Sequence, residues 1–402
     1  RRFVMTYPNE QLPAGRPLRK APAYTSMTRD GALWGYNWGL EVPLLFAPKG
    51  FEETPTLKRS NAFPLVGEEC RVVREGVGLL DISGFSRYEV TGLNAAGWLH
   101  RIAASRAPAH GRARLAPLLA PSGRLKGDLT VFHWGDGTWW LMGSYYLRQW
   151  HMRWFLDHAE EGVRVRDISD ATVGFSLAGP RSRDVLTQLT QFDLGNESLP
   201  FMGCTTMDVG LIRAKVARLS VCGELGYEIN CAMDEHITLR ESLLEAGQGC
   251  DIREFGFYAM NSLRLEKSFG VWSAEFTQTY TPGMTGLDRW IDWTREDFIG
   301  HEAARKERQK KSARERLVTL EITANDADAS GYEPVWQGDR RVGFVTSGGF
   351  GHYIGKSLAM ALVDKVAVSN DKPLEVHVVG KRFEARILEN PPWDPKGARM
   401  RA

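Results

Sequence analysis

The residues best suited to chemistry in this chain are carboxylates set beside glycine. Asp128 follows Gly127 in Gly123-Arg124-Leu125-Lys126-Gly127-Asp128-Leu129-Thr130-Val131, at the mouth of a segment that reads as a strand. A carboxylate so placed can accept a proton or steady a positive charge. Asp after Gly also caps turns, and the residues alone leave both roles open. Glu224 and Glu228 flank a corner in Gly223-Glu224-Leu225-Gly226-Tyr227-Glu228-Ile229. Either can accept two parallel hydrogen bonds from a ligand edge that carries paired N–H donors, and Gly226 permits a tight backbone and close ligand approach. Four residues apart on a turn-to-strand segment, the two acids need not face the same way, so one of them is expected to serve structure. A surface hairpin with two solvated acids is the alternative. Tyr227 can stack on a ligand or belong to the core, and the same choice holds for Trp272, just past a helix.

The elements that must position these residues follow from periodicity. Residues 68–75 and 146–158 read as helices, as do 258–267, while 86–90, 164–167, 214–220 and 227–230 read as strands. Leu129–Phe132 and Trp139–Met142, joined through Asp136-Gly137, read as a hairpin. Strands and helices interleaved in this way argue for an α+β class. Residues 1–60, rich in Pro, Gly, aromatic and basic residues, read as a wrapping arm with short helices. Residues 61–310 hold two interleaved α+β domains. The charge run from Lys306 marks a boundary, and 316–402, with short strands between Gly and Pro turns, suggests a small all-β barrel or jelly roll.

Several chemistries fall away. Gly355-Lys356-Ser357 ends like a phosphate-binding loop, but Phe350 stands where that loop needs Gly. His301-Glu302-Ala303-Ala304-Arg305 lacks the second His of a zinc helix and reads as a helix start. No Gly-x-Gly-x-x-Gly opens a helix after a strand, so no flavin or nicotinamide site is expected. The five cysteines form no Cys-x-x-Cys pair, which removes support for a metal cluster or a disulfide framework and favours a reducing compartment, cytoplasm or, in a eukaryote, the mitochondrial matrix. With 51 Lys plus Arg against 49 Asp plus Glu, the net charge of +2 leaves no footprint for nucleic acid. No apolar run approaches the roughly 18 residues of a membrane helix. The opening Arg1 to Met5 carries neither an initiator Met nor a signal-peptide core, which points to a start part-way into a longer polypeptide.

The two acidic stretches, with Asn261-Ser262-Leu263-Arg264-Leu265-Glu266-Lys267, Val342-Gly343-Phe344-Val345-Thr346-Ser347-Gly348 and Gly355-Lys356-Ser357-Leu358-Ala359, occur in the order and spacing of the aminomethyltransferase family, the T-protein of the glycine cleavage system. The resemblance covers about residues 65–402. Pro8-Asn9-Glu10, Arg59-Ser60-Asn61, Ala259-Met260-Asn261 and Asp394-Pro395-Lys396-Gly397-Ala398-Arg399 look more like the folate-binding portion of dimethylglycine and sarcosine dehydrogenases. Met260 stands where the T-protein often has Arg, so folate contacts at that position are not carried over.

What the resemblance implies is a three-domain arrangement around a central opening, with tetrahydrofolate in the middle and a C-terminal barrel. It implies that Asp128 is the catalytic carboxylate and that the corner of Glu224, Tyr227 and Glu228, with Trp272, binds the cofactor. The implied reaction captures formaldehyde or an iminium carbon from amine N-demethylation as 5,10-methylenetetrahydrofolate, with an amine-oxidising domain or subunit as partner. The competing functions are a folate-binding or assembly module without catalysis and a direct folate-dependent demethylase. Arg264 and Glu266 are expected to form structural ion pairs, and Glu275 to lie near the pocket.

Overall fold

The computed structural model describes residues 7–134, 138–311, 313–370 and 372–402. The chain start at Arg1 to Met5 and the Asp136-Gly137 turn lie outside them. Helix and sheet are mixed through the first three hundred residues, and residues 315–388 form a barrel.

Among the described residues, one sheet has five antiparallel strands in the order Arg112–Leu119, Leu125–His133, Trp139–Ser144, Phe85–Thr91, Arg164–Asp167. A second has six, in the order Cys204–Val209, Ile212–Ala217, Gly226–Ala232, Thr172–Ala178, Gly78–Asp81, Arg253–Glu254, of which only the last pairing is parallel. Side chains alternate across each strand, so each sheet has two faces to bury. One face of the second sheet packs Phe175, Leu177, Tyr227 and Ile229 beneath the helix His236–Ala246. The facing sides of the two sheets meet in a shared cluster that joins Phe132, Trp140 and Met142 to Ala178, Ala217 and Cys222. Within that layer the helix Phe63–Glu75, with Pro64 in its first turn, buries Val66, Glu69, Cys70, Val73 and Arg74 at helical spacing.

From Glu315 the chain forms a closed antiparallel barrel, Glu315–Ile322, Lys356–Asp364, Arg340–Gly351, Pro334–Gln337, Leu374–Val378, Lys381–Leu388. Gly355 takes a left-handed turn immediately before Lys356–Asp364, the geometry of a barrel turn and not of a phosphate cradle. His301 begins the helix His301–Lys310, which ends just before the barrel.

The first sixty residues differ from expectation. Among the described residues they contain one short helix, Tyr24–Arg29, but also the hairpin Ala32–Asn37 with Leu40–Phe46. Leu40–Phe46 is buried on nearly every residue, so it lacks the alternation that betrays a strand. Its two-residue turn, Trp38-Gly39, has positive φ at both positions, a hairpin geometry that Asn or Asp signals more plainly than Trp. Arg59 then ties this segment to the barrel through two hydrogen bonds to Asp328, at 2.8 and 2.9 Å.

Candidate functional site

Asp128 sits in Leu125–His133, where Gly127, Leu129 and Val131 are buried on one side and Lys126, Asp128 and Thr130 are half-buried on the other. Thr130 is paired with Met142 and Phe132 with Trp140, so Asp128 shares the face that looks toward the second sheet. Its cross-strand partner is Pro117, which has no N–H to offer. Among the described residues the one group that hydrogen-bonds the carboxylate is its own backbone N–H, and burial pushes it up to about 7. Behind it, on the opposite face, His151 lies so close to Gly127 that a Cβ there would fall 2.8 Å from Nε2. Tyr88 holds that ring from the far side, its hydroxyl 3.2 Å from Nδ1.

The acidic corner resolves into two environments. Tyr227 and Ile229 point into the apolar core, so Glu228 and Asn230 point the other way, toward the first sheet. Glu228 is buried between Ser176 and Ala217 in the ladder. Among the described residues its side chain has no hydrogen-bond or ion-pair partner, and burial pushes it up to about 7 against the pull of Arg87. Arg87, from the facing sheet, donates from Nε to Asn230 Oδ1 at 2.8 Å. Burial lowers its own pKa to about 10.

Glu224 is also buried, but both its oxygens are engaged. Oε1 accepts from Arg74 Nη1 at 3.0 Å and from Trp393 Nε1 at 2.8 Å, and Oε2 lies 3.4 Å from Arg399 Nη1. Tyr227 is a core residue whose hydroxyl takes an N–H from Arg183 at 3.2 Å. Trp272 packs with Leu119, Leu125, Leu147 and Phe276 and meets His151 edge-on, on the Gly127 side of the strand. Of the five residues singled out, the structure brings Asp128 and Glu228 to the inter-sheet interior; the other three lie outside it.

Arg264 donates to Glu275 at 3.3 Å, and Glu275 also accepts from Thr346 and Ser347 of the barrel. Glu266 pairs with Arg74 at 2.7 Å and accepts the Tyr353 N–H at 2.8 Å. These are the structural ion pairs expected of that helix, and the hydroxyls and N–H they hold belong to the barrel. Arg87 and Asn230 escape the sequence reading because Arg87 alternates with Tyr88 and Val90 as a solvent-facing residue would. Only the second sheet makes that face an interior.

Surface clefts of about 130 Å³, lined by Arg19, Ser83, Tyr145 and Asp170, and about 240 Å³, lined by Ser122, Thr281, Lys306 and Lys310, contain neither Asp128 nor Glu228. Among the described residues no group of His, Cys, Asp and Glu is arranged to hold a metal ion, and no helix is long and apolar enough to cross a membrane.

Residues 23–295 match the GCVT N-terminal domain and residues 315–394 the glycine cleavage T-protein C-terminal barrel domain. The chain is 32% identical to the mitochondrial dimethylglycine dehydrogenase of Rattus norvegicus over 394 residues, which cover 96% of this chain and 46% of that protein. It is 29% identical to the aminomethyltransferase of Anoxybacillus flavithermus over 332 residues, 82% of this chain and 90% of that one. The glycine cleavage system aminomethyltransferase T of Bartonella henselae superposes with a TM-score of 0.80 at 23% identity, covering 94% of this chain and 99% of that one, which shows a common fold. The chain thus spans about half the length of the dimethylglycine dehydrogenase it matches. With two family models covering its α+β body and its barrel, the chain belongs to the glycine cleavage T-protein family of folate-dependent aminomethyltransferases.

Proposed function

We propose that the chain captures a one-carbon unit, formaldehyde or an iminium carbon released by oxidative N-demethylation of an amine, on tetrahydrofolate as 5,10-methylenetetrahydrofolate. The observation that carries this reading is the pair of carboxylates on the inter-sheet interior, Glu228 buried and Asp128 half-buried, neither with a side-chain partner among the described residues. A desolvated carboxylate left without donors is costly unless a ligand satisfies it. Glu228 fits the N–H and amino group on one edge of a pterin, which it accepts in two parallel hydrogen bonds. When bound, tetrahydrofolate supplies the amine that takes up the carbon. Asp128 would accept the proton shed at that amine and steady the positive charge of the incoming electrophile, the oxygen of formaldehyde leaving as water or the nitrogen of an iminium as free amine. With its carboxyl raised to about 7, Asp128 is tuned near the pH at which a general base works best. Glu224 holds the corner through its ion pairs and leaves Glu228 to the ligand.

An amine-oxidising domain or subunit is the proposed source of the carbon. The similarity to a dimethylglycine dehydrogenase of about twice this length supports that partner. The test mixes the chain with tetrahydrofolate and formaldehyde, follows condensation, and subtracts the uncatalysed reaction. Condensation faster than background, lost on Asp128→Asn, is the expected result. Folate binding with no acceleration would instead describe a folate-holding module.

A further inference from the structure

Beyond the last barrel strand the chain does not stay with the barrel. Residues 391–402 cross back to the α+β body and close over the corner that leads to Glu228. Trp393 donates its backbone N–H to Glu266 O at 3.0 Å and its indole N–H to Glu224 Oε1 at 2.8 Å. Two guanidinium groups lie over its ring, Arg74 at 4.8 Å and Arg399 at 4.7 Å, and both of these also reach Glu224. Lys267 Nζ donates to Asp394 O at 2.6 Å, and its stem fills the space beside Gly223, where a Cβ would fall 2.4 Å away. Arg183 and Arg218 both donate to Ala402 O, at 2.8 and 2.5 Å. Trp393 and Asp394 are the last two residues of the matched barrel domain, and residues 395–402, Arg399 among them, lie past it.

We propose that this segment is a strap and that Trp393 and Arg399 are positioning residues for the folate site, acting through Glu224 on the turn that carries Glu228. The inference rests on the folate reading given above. The corner is held at three consecutive residues: Cys222 O accepts from Arg74 at 2.7 Å, Gly223 rests on Lys267, and Glu224 is gripped by the strap. The strand Gly226–Ala232 starts two residues later, with no further slack before Glu228. A buried carboxylate with charged and indole donors on both oxygens is a rigid anchor, because each lost donor leaves a desolvated lone pair. Arg74 alone must also serve Glu266, so without the strap Glu224 keeps one donor of three and the corner is freer to move.

The experiment measures tetrahydrofolate affinity and thermal melting on the whole chain for wild type, Glu228→Gln, Trp393→Phe and Arg399→Gln. Phe keeps an aromatic ring beside the two guanidinium groups while removing the N–H donor and part of the indole's area, and Arg399 is half-exposed, so both strap variants are expected to fold. Each should weaken folate binding by about three- to tenfold well below its melting temperature, the scale of one ordinary net hydrogen bond. In a Glu224→Gln background the loss from Trp393→Phe should shrink, because the donor no longer meets a charged acceptor. Lower melting temperatures with wild-type folate affinity would make the strap merely structural and overturn the proposal. Wild-type binding weakened by Glu228→Gln but untouched by both strap variants would sink the strap and spare the folate site. No binding by the wild type, or full affinity in Glu228→Gln, would overturn the folate reading and the strap with it.

Discussion

The buried guanidinium of Arg87 bridges the two facing sheets, with Nε donating to Asn230 Oδ1 at 2.8 Å while its terminal nitrogens donate to the Phe85 and Ile82 carbonyls at 3.1 and 3.0 Å. Among the described residues no carboxylate lies within ion-pair distance of it. Its charge meets carboxylates only at longer range, Glu228 first and then Asp81, and it favours the ionised form of Glu228. The same bond fixes the Asn230 amide, since Arg can only donate and Oδ1 must face it.

Asn230→Ala removes the one side-chain acceptor of Arg87 Nε and leaves a buried charged donor short of a partner. A loss of about 1.5–3 kcal/mol is expected, read as a melting temperature several degrees lower. Asn230→Asp puts a carboxylate against Arg87 instead and cancels its field. The pH midpoint of folate binding should then move upward, as Glu228 ionises less readily.

Asp128→Asn should slow condensation at least roughly a hundredfold while folate affinity changes far less, because a general base typically contributes about 10² to 10⁴ in rate. In the wild type the rate should rise with pH through about 7, where Asp128 ionises. Stability should show the opposite sign. The folded carboxyl titrates about 7 against roughly 3.9 in the unfolded chain, so ionising it opposes folding. That burden is absent below about pH 4, grows between the two values and is complete above about 7. The Asn variant should therefore melt higher than wild type at pH 8, with the difference vanishing toward pH 4.

Glu228→Gln and Glu224→Gln should fail differently. Gln at 228 turns one acceptor into a donor and should weaken folate binding by about tenfold or more, while raising the melting temperature at pH 8 by the same linkage as at Asp128. It should also abolish the rise in affinity with pH that the wild type shows through about 7, as Glu228 takes up its charge. Gln at 224 breaks a buried pair with Arg74, a change that typically costs about 3–5 kcal/mol when one partner is removed. Its first readout is a lowered melting temperature. Equal melting for the two variants would contradict the separate environments seen for these acids.

Gly127→Ala tests the layer behind Asp128. The added methyl meets His151 Nε2 at 2.8 Å, and the ring is pinned by Tyr88 on its other side. Overpacking of this kind typically costs about 1–3 kcal/mol. A melting temperature equal to that of wild type would mean that His151 can move aside.

Much of the architecture is legible in the sequence because local patterns and burial agree. Alternation marks Phe85–Thr91 and Gly226–Ala232, helical spacing marks Phe63–Glu75 and Phe257–Glu266, and turn-rich short strands mark the barrel. The carboxylates beside glycine are visible as candidates for the same reason, since a Gly-flanked acid is a local feature. The hairpin of residues 32–46 is not visible, because a strand buried on both faces has no alternation to read. Nor does spacing divide Glu224 from Glu228. What divides them is what comes from elsewhere in the chain: Arg74, Trp393 and Arg399 converge on Glu224 from positions 150, 169 and 175 residues away, while Glu228 meets the facing sheet and is left without donors. The raised pKa of Asp128 and Glu228 exists only once two sheets close on each other, burying Glu228 and half-burying Asp128.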